Sequence, residues 1–106
     1  MPPEAIPTTL WRSLDAVSPK GERFRMDIAL GAPQPQGEDC ACAVSITQLF
    51  EPARLIHGID GWQVTQLAMG FVLSQLKHFQ DSGGELRWAG TAELLDLKEM
   101  AVAPLF

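Results

Sequence analysis

Residues 60–84 read DGWQVTQLAMGFVLSQLKHFQDSGG, and this stretch decides the fold. Asp60 is a good N-cap residue, and Gln63 three positions later completes the pattern of a capping box. Gly83 and Gly84 follow the last apolar position, where glycine readily adopts the left-handed conformation that ends a helix. The sequence therefore predicts one long helix between these two signals.

The apolar residues of this helix fall at helical spacing and form one face. They are Val64, Leu67, Ala68, Phe71, Val72, Leu76 and Phe79. A second stripe of Trp62, Met69 and Leu73 widens the apolar arc to roughly two-thirds of the circumference. A helix on the surface of a monomer usually needs an apolar stripe of only about 100°. One sheet cannot cover the whole arc, so we predict that Trp62, Met69 and Leu73 form an interface with a partner.

Strand patterns lie on both sides of the helix. Residues 8–17 suit a helix or a strand, and the turn sequence SPKG after them favours the first strand of a hairpin. Residues 23–30 alternate between apolar and polar side chains, which is typical of a half-buried strand in an antiparallel sheet. The pattern predicts a third strand over residues 40–50 and a fourth over residues 85–89.

The connecting segments carry weaker patterns. Residues 31–39 (GAPQPQGED) are predicted to form a polar loop without regular structure. Residues 51–59 connect to the helix and add at most a short extended piece at residues 54–57. Residues 91–106 are apolar without a clean period, so a short helix, an edge strand and a tail that orders on a partner all stay open.

Together these elements predict an α+β fold. We expect an antiparallel sheet of about four strands in the order β-β-β-α-β, with the helix packed on one face through Leu67, Phe71 and Val72. The three prolines in residues 1–7 favour a flexible lead-in, followed by a single domain over residues 8–106.

Composition excludes several classes of function. The 106 residues are 46% hydrophobic and carry 13 acidic against 8 basic side chains, a net charge of -5. No cluster of Lys and Arg could follow a phosphate backbone, so we expect no nucleic-acid partner. We expect no membrane partner either, because no apolar run approaches the ~20 residues of a membrane span. The first residues lack the pattern of a signal peptide, which favours a cytoplasmic protein.

Five side chains carry whatever chemistry the sequence offers: Cys40, Cys42, His57, Gln75 and His78. The two cysteines share a strand face, but only one residue lies between them, whereas the cysteines of metal and redox pairs usually have two residues between them. We therefore interpret Cys40 and Cys42 as packing residues. Gln75 lies within the apolar arc and needs a hydrogen-bond partner if it is buried. His57 precedes the helix, where a pairing with Asp60 for acid–base chemistry is conceivable. We predict no catalytic residue, cofactor or metal site.

A family resemblance covers residues 24–97. Its first motif is L-G-x-P-x-P-x-G-x-D at residues 30–39, followed by Cys42, Ile46 and Leu49. Its second is G-x-D-x-x-Q at residues 58–63, followed by the glycine pair and L-x-W-x-G at residues 86–90. The pattern resembles a family of small bacterial proteins catalogued only as a domain of unknown function. The resemblance implies no catalytic residue and no cofactor.

Three hypotheses for function follow from these patterns. The first is a non-enzymatic interaction module that self-associates as a homodimer through Trp62, Met69 and Leu73. The second is a small-molecule or metal-binding cleft between helix and sheet, which could be enzymatic and would use the five side chains named above. The third is a protein that neutralises a partner protein, of the immunity type, which small acidic α+β domains suit.

Overall fold

The computed structural model describes residues 8–101, and it describes side chains from Leu10 to Met100. Its strands are β1 (Thr8–Val17), β2 (Arg23–Gly31), β3 (Gln34–Gln36), β4 (Asp39–Ile46), β5 (Phe50–Gly58) and β6 (Glu85–Trp88). Its helices are α1 (Gly61–Asp81) and α2 (Leu97–Ala101), neither of which is long and apolar enough to cross a membrane. The predicted lead-in at residues 1–7 lies outside the described residues.

The six strands form one antiparallel sheet. Along it the strands follow the order β5, β4, β2, β1 and β6, and β3 lies beside β2 on the same edge of β4. The predicted α+β class, with an antiparallel sheet and one long helix, is confirmed. The prediction of about four strands in the order β-β-β-α-β is wrong, because β3 and β5 were not expected and α2 follows β6.

Both additional strands form by pairing with β4. The predicted loop at residues 31–39 contains β3, in which Gln34 pairs with Ala41. The third strand ends at Ile46 rather than at residue 50, and a turn leads into β5. The predicted short piece at residues 54–57 is part of this nine-residue strand. Backbone pairing therefore outweighs the weak strand patterns of both segments.

Helix α1 begins and ends at the predicted signals. The Asp60 carboxylate accepts a hydrogen bond from the Gln63 amide at 2.8 Å, and the Gln63 side chain accepts one from the Ile59 amide at 2.8 Å. The Gln63 side chain therefore bonds to the amide of Ile59, one residue before the Asp60 amide that a capping box would use. At the other end, Gly83 has a φ of 104°, the left-handed conformation that closes the helix. These contacts are local, which is why the sequence predicts them.

The core lies between α1 and one face of the sheet. Its largest fully buried side chains are Leu14, Met26, Val44, Ile46, Val64, Leu76 and Leu86. From α1 the buried residues are Val64, Ala68, Val72, Leu76 and Phe79. The prediction that Leu67 belongs to the core is wrong, because Leu67 is 46% exposed and lies to one side of the buried line.

After β6 the chain turns back along that strand and then forms α2, the last described element. Leu95 is buried, and Leu97 and Met100 of α2 pack against the core. Of the three alternatives for residues 91–106, a short helix is therefore observed over Leu97–Ala101. Residues 102–106 lie outside the described part of the chain.

Candidate interaction surface

One side of α1 faces β1, and we call the Trp62, Met69 and Leu73 side chains on it the β1-facing flank. Trp62 is 79% exposed, Met69 is 44% exposed, and Leu73 is half-buried. Met69 and Leu73 line an apolar groove of about 290 Å³ with Leu10 of β1 and Met100 of α2. Of the three residues of the predicted interface, Leu73 is therefore partly covered within the chain, and Trp62 is the most exposed.

The other side of α1 faces β5, and we call Leu67 and Phe71 on it the β5-facing flank. The Phe71 ring packs on the Phe50 ring at a centroid distance of 4.6 Å, and the Arg54 guanidinium lies 4.9 Å from the same ring. Leu67 has no such cover, at 46% exposure. On the opposite face of the sheet, Leu55 of β5 is 47% exposed. Exposed leucines therefore lie on both sides of the edge strand β5: Leu67 on the side of α1 and Leu55 on the opposite face.

The two edges of the sheet differ in their backbone pairing. At the β6 edge, Trp88 donates to the Glu93 carbonyl at 3.1 Å, and Leu95 donates to the Leu86 carbonyl at 2.9 Å. At the β5 edge, no residue of the described range pairs with the side of the strand that faces away from β4. A long free edge is a surface on which another strand can pair.

The sheet face opposite α1 carries a polar cluster. The Ser13 hydroxyl donates to the Asp27 carboxylate at 2.6 Å, and the Arg25 guanidinium donates to the same oxygen at 2.9 Å. The Ser13 hydrogen bond is the largest cause that lowers the pKa of Asp27, while partial burial opposes it and Arg25 adds to the lowering. Thr47 accepts from the Asp27 amide at 2.9 Å. The cluster ties β1 and β2 to the end of β4.

The structure does not bring the five predicted cleft residues together. His57 pairs with Ala41, so it lies on the face of the sheet opposite to the one on which Cys42 contacts the core. His57 and His78 are exposed, and the half-exposed Gln75 can bond to water. Among the described residues, no three His, Cys, Asp or Glu side chains could hold a metal ion together.

The Cys42 side chain is fully within the core. Its sulfur donates to the Gly31 carbonyl at 3.1 Å, and burial raises the pKa of its thiol. Cys40 is half-buried beside the same core. A raised thiol pKa lowers the fraction of reactive thiolate, which suits packing better than redox chemistry.

Sequence patterns missed the β5-facing flank and the free edge beside it. The pattern around Leu55 predicts only a short extended piece at residues 54–57, and the spacing along α1 predicts Leu67 in the core. Spacing along α1 gives the angle of Leu67 on the helix but not the position of the sheet beneath it. Only the pairing of β5 with β4 places an unpaired strand next to Leu67.

The described elements match a known family over most of their length. No protein of curated function and no solved structure matches the chain. The model of one family, described as Domain of unknown function (DUF6968), matches residues 10–98, from β1 into α2. The chain belongs to this family.

Proposed function

We propose that this protein is a non-enzymatic interaction module that self-associates as a homodimer. One observation carries the proposal: α1 keeps large apolar side chains exposed on both flanks, with Trp62 and Met69 on one and Leu67 on the other. Single exposed apolar residues are common on monomers, but such residues grouped along one helix are typical of an interaction surface. The chain covers them only in part.

The arrangement of the polar side chains supports a non-enzymatic role. General acid–base or nucleophilic chemistry needs two groups within hydrogen-bond reach of each other and of a substrate. His57 and Cys42 are on opposite sheet faces, and the Ser13, Arg25 and Asp27 cluster satisfies its own hydrogen bonds. Residues of the described range therefore offer binding surfaces more readily than a reaction centre.

Light scattering behind a sizing column tests the proposal directly. We expect the mass of a dimer at a loading concentration on the order of tens of micromolar, which a dissociation constant in the micromolar range would give. The 11.6 kDa mass of the chain makes monomer and dimer easy to separate. A monomeric mass across that range would refute self-association.

The groove beside Met69 and Leu73 favours a second candidate, the binding of a small apolar molecule. Its volume of about 290 Å³ approaches the lower limit of ordinary ligand pockets, roughly 300 Å³. An apolar dye such as 8-anilinonaphthalene-1-sulfonate should then bind the folded protein with enhanced fluorescence. The Met69→Glu variant should lose that signal and Leu67→Glu, on the opposite flank, should keep it.

The immunity-type role stays a prediction from acidic composition. A partner-neutralising protein of this kind would present charged side chains to one specific protein. In the described residues, the three ion pairs are exposed or half-exposed and lie within single elements: Arg25 with Asp27, Lys77 with Asp81, and Arg87 with Glu85. They favour no particular partner.

A further inference from the structure

We infer that two copies of this chain join along the free edge of β5, in an antiparallel pair whose two-fold axis passes beside Leu55. One continuous sheet then spans both copies. The inference rests on the proposed self-association and names the surface that carries it. The backbone of β5 and the exposed leucines on either side of it favour this contact.

The backbone of β5 is the first reason. The strand spans nine residues, Phe50–Gly58, and within the described range its backbone pairs only with β4, in regular register over residues 54–58 and again at Phe50 beyond an irregularity. Natural proteins usually shorten, bend or cover such an edge, because its free N–H and C=O groups accept another strand. The β6 edge shows that cover, since residues 93–95 return along it. A second β5 strand would supply the missing partner groups.

The position of Leu67 is the second reason. A Cβ at Gly58 would lie 3.0 Å from the Val64 Cα, so α1 begins close against one end of β5. The Phe71 ring packs on Phe50 at the other end. Leu67 lies between Val64 and Phe71 on the helix, and therefore beside the middle of β5. A two-fold axis through the middle of β5 therefore brings Leu67 of one copy toward Leu67 of the other.

The symmetry of the pair places the two α1 helices side by side. Two antiparallel edge strands are related by a two-fold axis perpendicular to the sheet, so both α1 helices lie on the same face of the joined sheet. Adjacent strands are about 4.8 Å apart. Because α1 approaches β4 and β5 most closely, the two helices come to roughly 10–14 Å from each other. Leu67 and Phe71 of each copy can fill that space.

Charge disfavours one register near the middle of β5, and the exposed Leu55 favours its neighbour. In an antiparallel self-pair, the residue at the axis lies opposite its own copy. An axis at Arg54 would place two guanidinium groups opposite each other, and like charges in that position destabilise a sheet. An axis at Leu55 instead pairs two leucines and places Arg54 opposite Ile56. The leucine pair also covers the side chain that is 47% exposed on the face without helices.

The size of the contact fits a reversible dimer. Pairing of residues 52–58 in each copy gives an edge about 24 Å long. The molecule is 23 Å across in its shortest dimension. The contact area per copy is therefore roughly 500 Å², without the extra area that protruding side chains add. Specific interfaces bury about 600–1,000 Å² per partner, so this contact is near the lower limit. We therefore expect micromolar rather than nanomolar affinity.

The test compares two glutamate substitutions at equally exposed positions of α1. Leu67→Glu places a charge on the β5-facing flank, and Met69→Glu places the same charge on the β1-facing flank. Sedimentation equilibrium over a dilution series should show the dimer weakened at least about 30-fold by Leu67→Glu, as for a central interface residue. Met69→Glu should change its affinity less than about threefold. Circular dichroism shows whether each variant is folded.

Hydrogen exchange on the unmodified chain supplies a measurement that needs no variant. Amides of β5 that face away from β4 should exchange more slowly at high protein concentration than at low concentration, because the dimer pairs them. Amides of β6 should show no such dependence. Exchange of β5 that is independent of concentration, in a sample that light scattering shows to be dimeric, would overturn the inference.

The outcomes separate the inference from the proposed function. A monomer at all concentrations refutes self-association and the β5 contact together. A dimer that Met69→Glu dissociates and Leu67→Glu leaves intact keeps self-association but overturns the β5 contact, and it assigns the interface to Trp62, Met69 and Leu73. A dimer that only Leu67→Glu dissociates, with concentration-dependent protection of β5, supports both.

Discussion

At the β6 edge of the sheet, residues 93–95 return along the strand and Leu95 inserts into the core, whereas the β5 edge has no such cover within the described residues. The two flanks of α1 differ in the same way, one being partly covered and the other exposed. Met100 of α2 and Leu10 of β1 lie against its β1-facing flank, while Leu67 on the β5-facing flank stays exposed. The chain after β6 thus closes one side of the molecule, and the other side is available for contact with a partner.

The largest expected effect is a loss of stability on the closed side, where one substitution removes the buried side chain of the returning segment. Replacement of the buried Leu95 by alanine should lower the free energy of unfolding by about 3 kcal/mol, because it leaves a cavity under the returning segment. Leu94→Ala is the matched control: Leu94 is 59% exposed, and its truncation should cost less than about 0.5 kcal/mol. Urea unfolding measures both values. Equal effects would show that residues 93–95 do not seal this side.

A smaller effect is expected where α1 begins, at the end of β5. Removal of the Asp60 carboxylate in Asp60→Ala leaves the Gln63 amide without its hydrogen bond and should cost about 1 kcal/mol. Asp60→Asn keeps an oxygen acceptor and should restore most of the loss. Urea unfolding again gives the free energies. An Asp60→Ala variant as stable as the unmodified chain would show that the cap does not fix the helix beside β5.

The smallest effect concerns the polar cluster, which joins β1 on the closed side to β4 on the open side. The folded pKa of Asp27 lies below its unfolded value, chiefly because of the hydrogen bond from Ser13. Its ionised form therefore stabilises the fold above about pH 4, and this contribution is lost as the pH falls through the folded pKa. Asp27→Asn should flatten the acid limb of the plot of stability against pH.

Ser13→Ala provides the control for that effect, because it removes the largest cause of the lowered pKa and leaves the carboxylate in place. The urea midpoint should fall slightly at neutral pH, with a shallower decline below about pH 4. If both variants keep the acid limb of the unmodified chain, ionisation of Asp27 does not contribute to the pH dependence of the free energy of unfolding.

Some features could be predicted because their causes are local. Asp60, Gln63 and Gly83 act on neighbours within a few residues, so the helix boundaries follow from sequence alone. The alternation in residues 23–30 likewise gives the inward and outward faces of β2 without knowledge of its partner. The fold class, built from these elements, was therefore predictable.

Other features depend on residues far apart in the chain. β3 and β5 are strands because β4 lies between them, and their own patterns, with Pro35 and Pro52, are weak. The five predicted cleft residues are separated for a related reason. Sequence spacing cannot show that β5 turns His57 to the face opposite α1 while Cys42 of β4 lies beneath the helix.

The sequence by itself determined that residues 60–84 contain one capped helix with an apolar arc too wide for a single sheet. Only the tertiary structure decided which part of that arc is covered. Leu73 is half-buried in a groove that it lines with Leu10 of β1 and Met100 of α2, and Leu67 is exposed because the sheet ends at β5. Periodicity fixes the angle of each side chain around the helix axis, whereas burial depends on the surfaces that the rest of the chain brings to that angle.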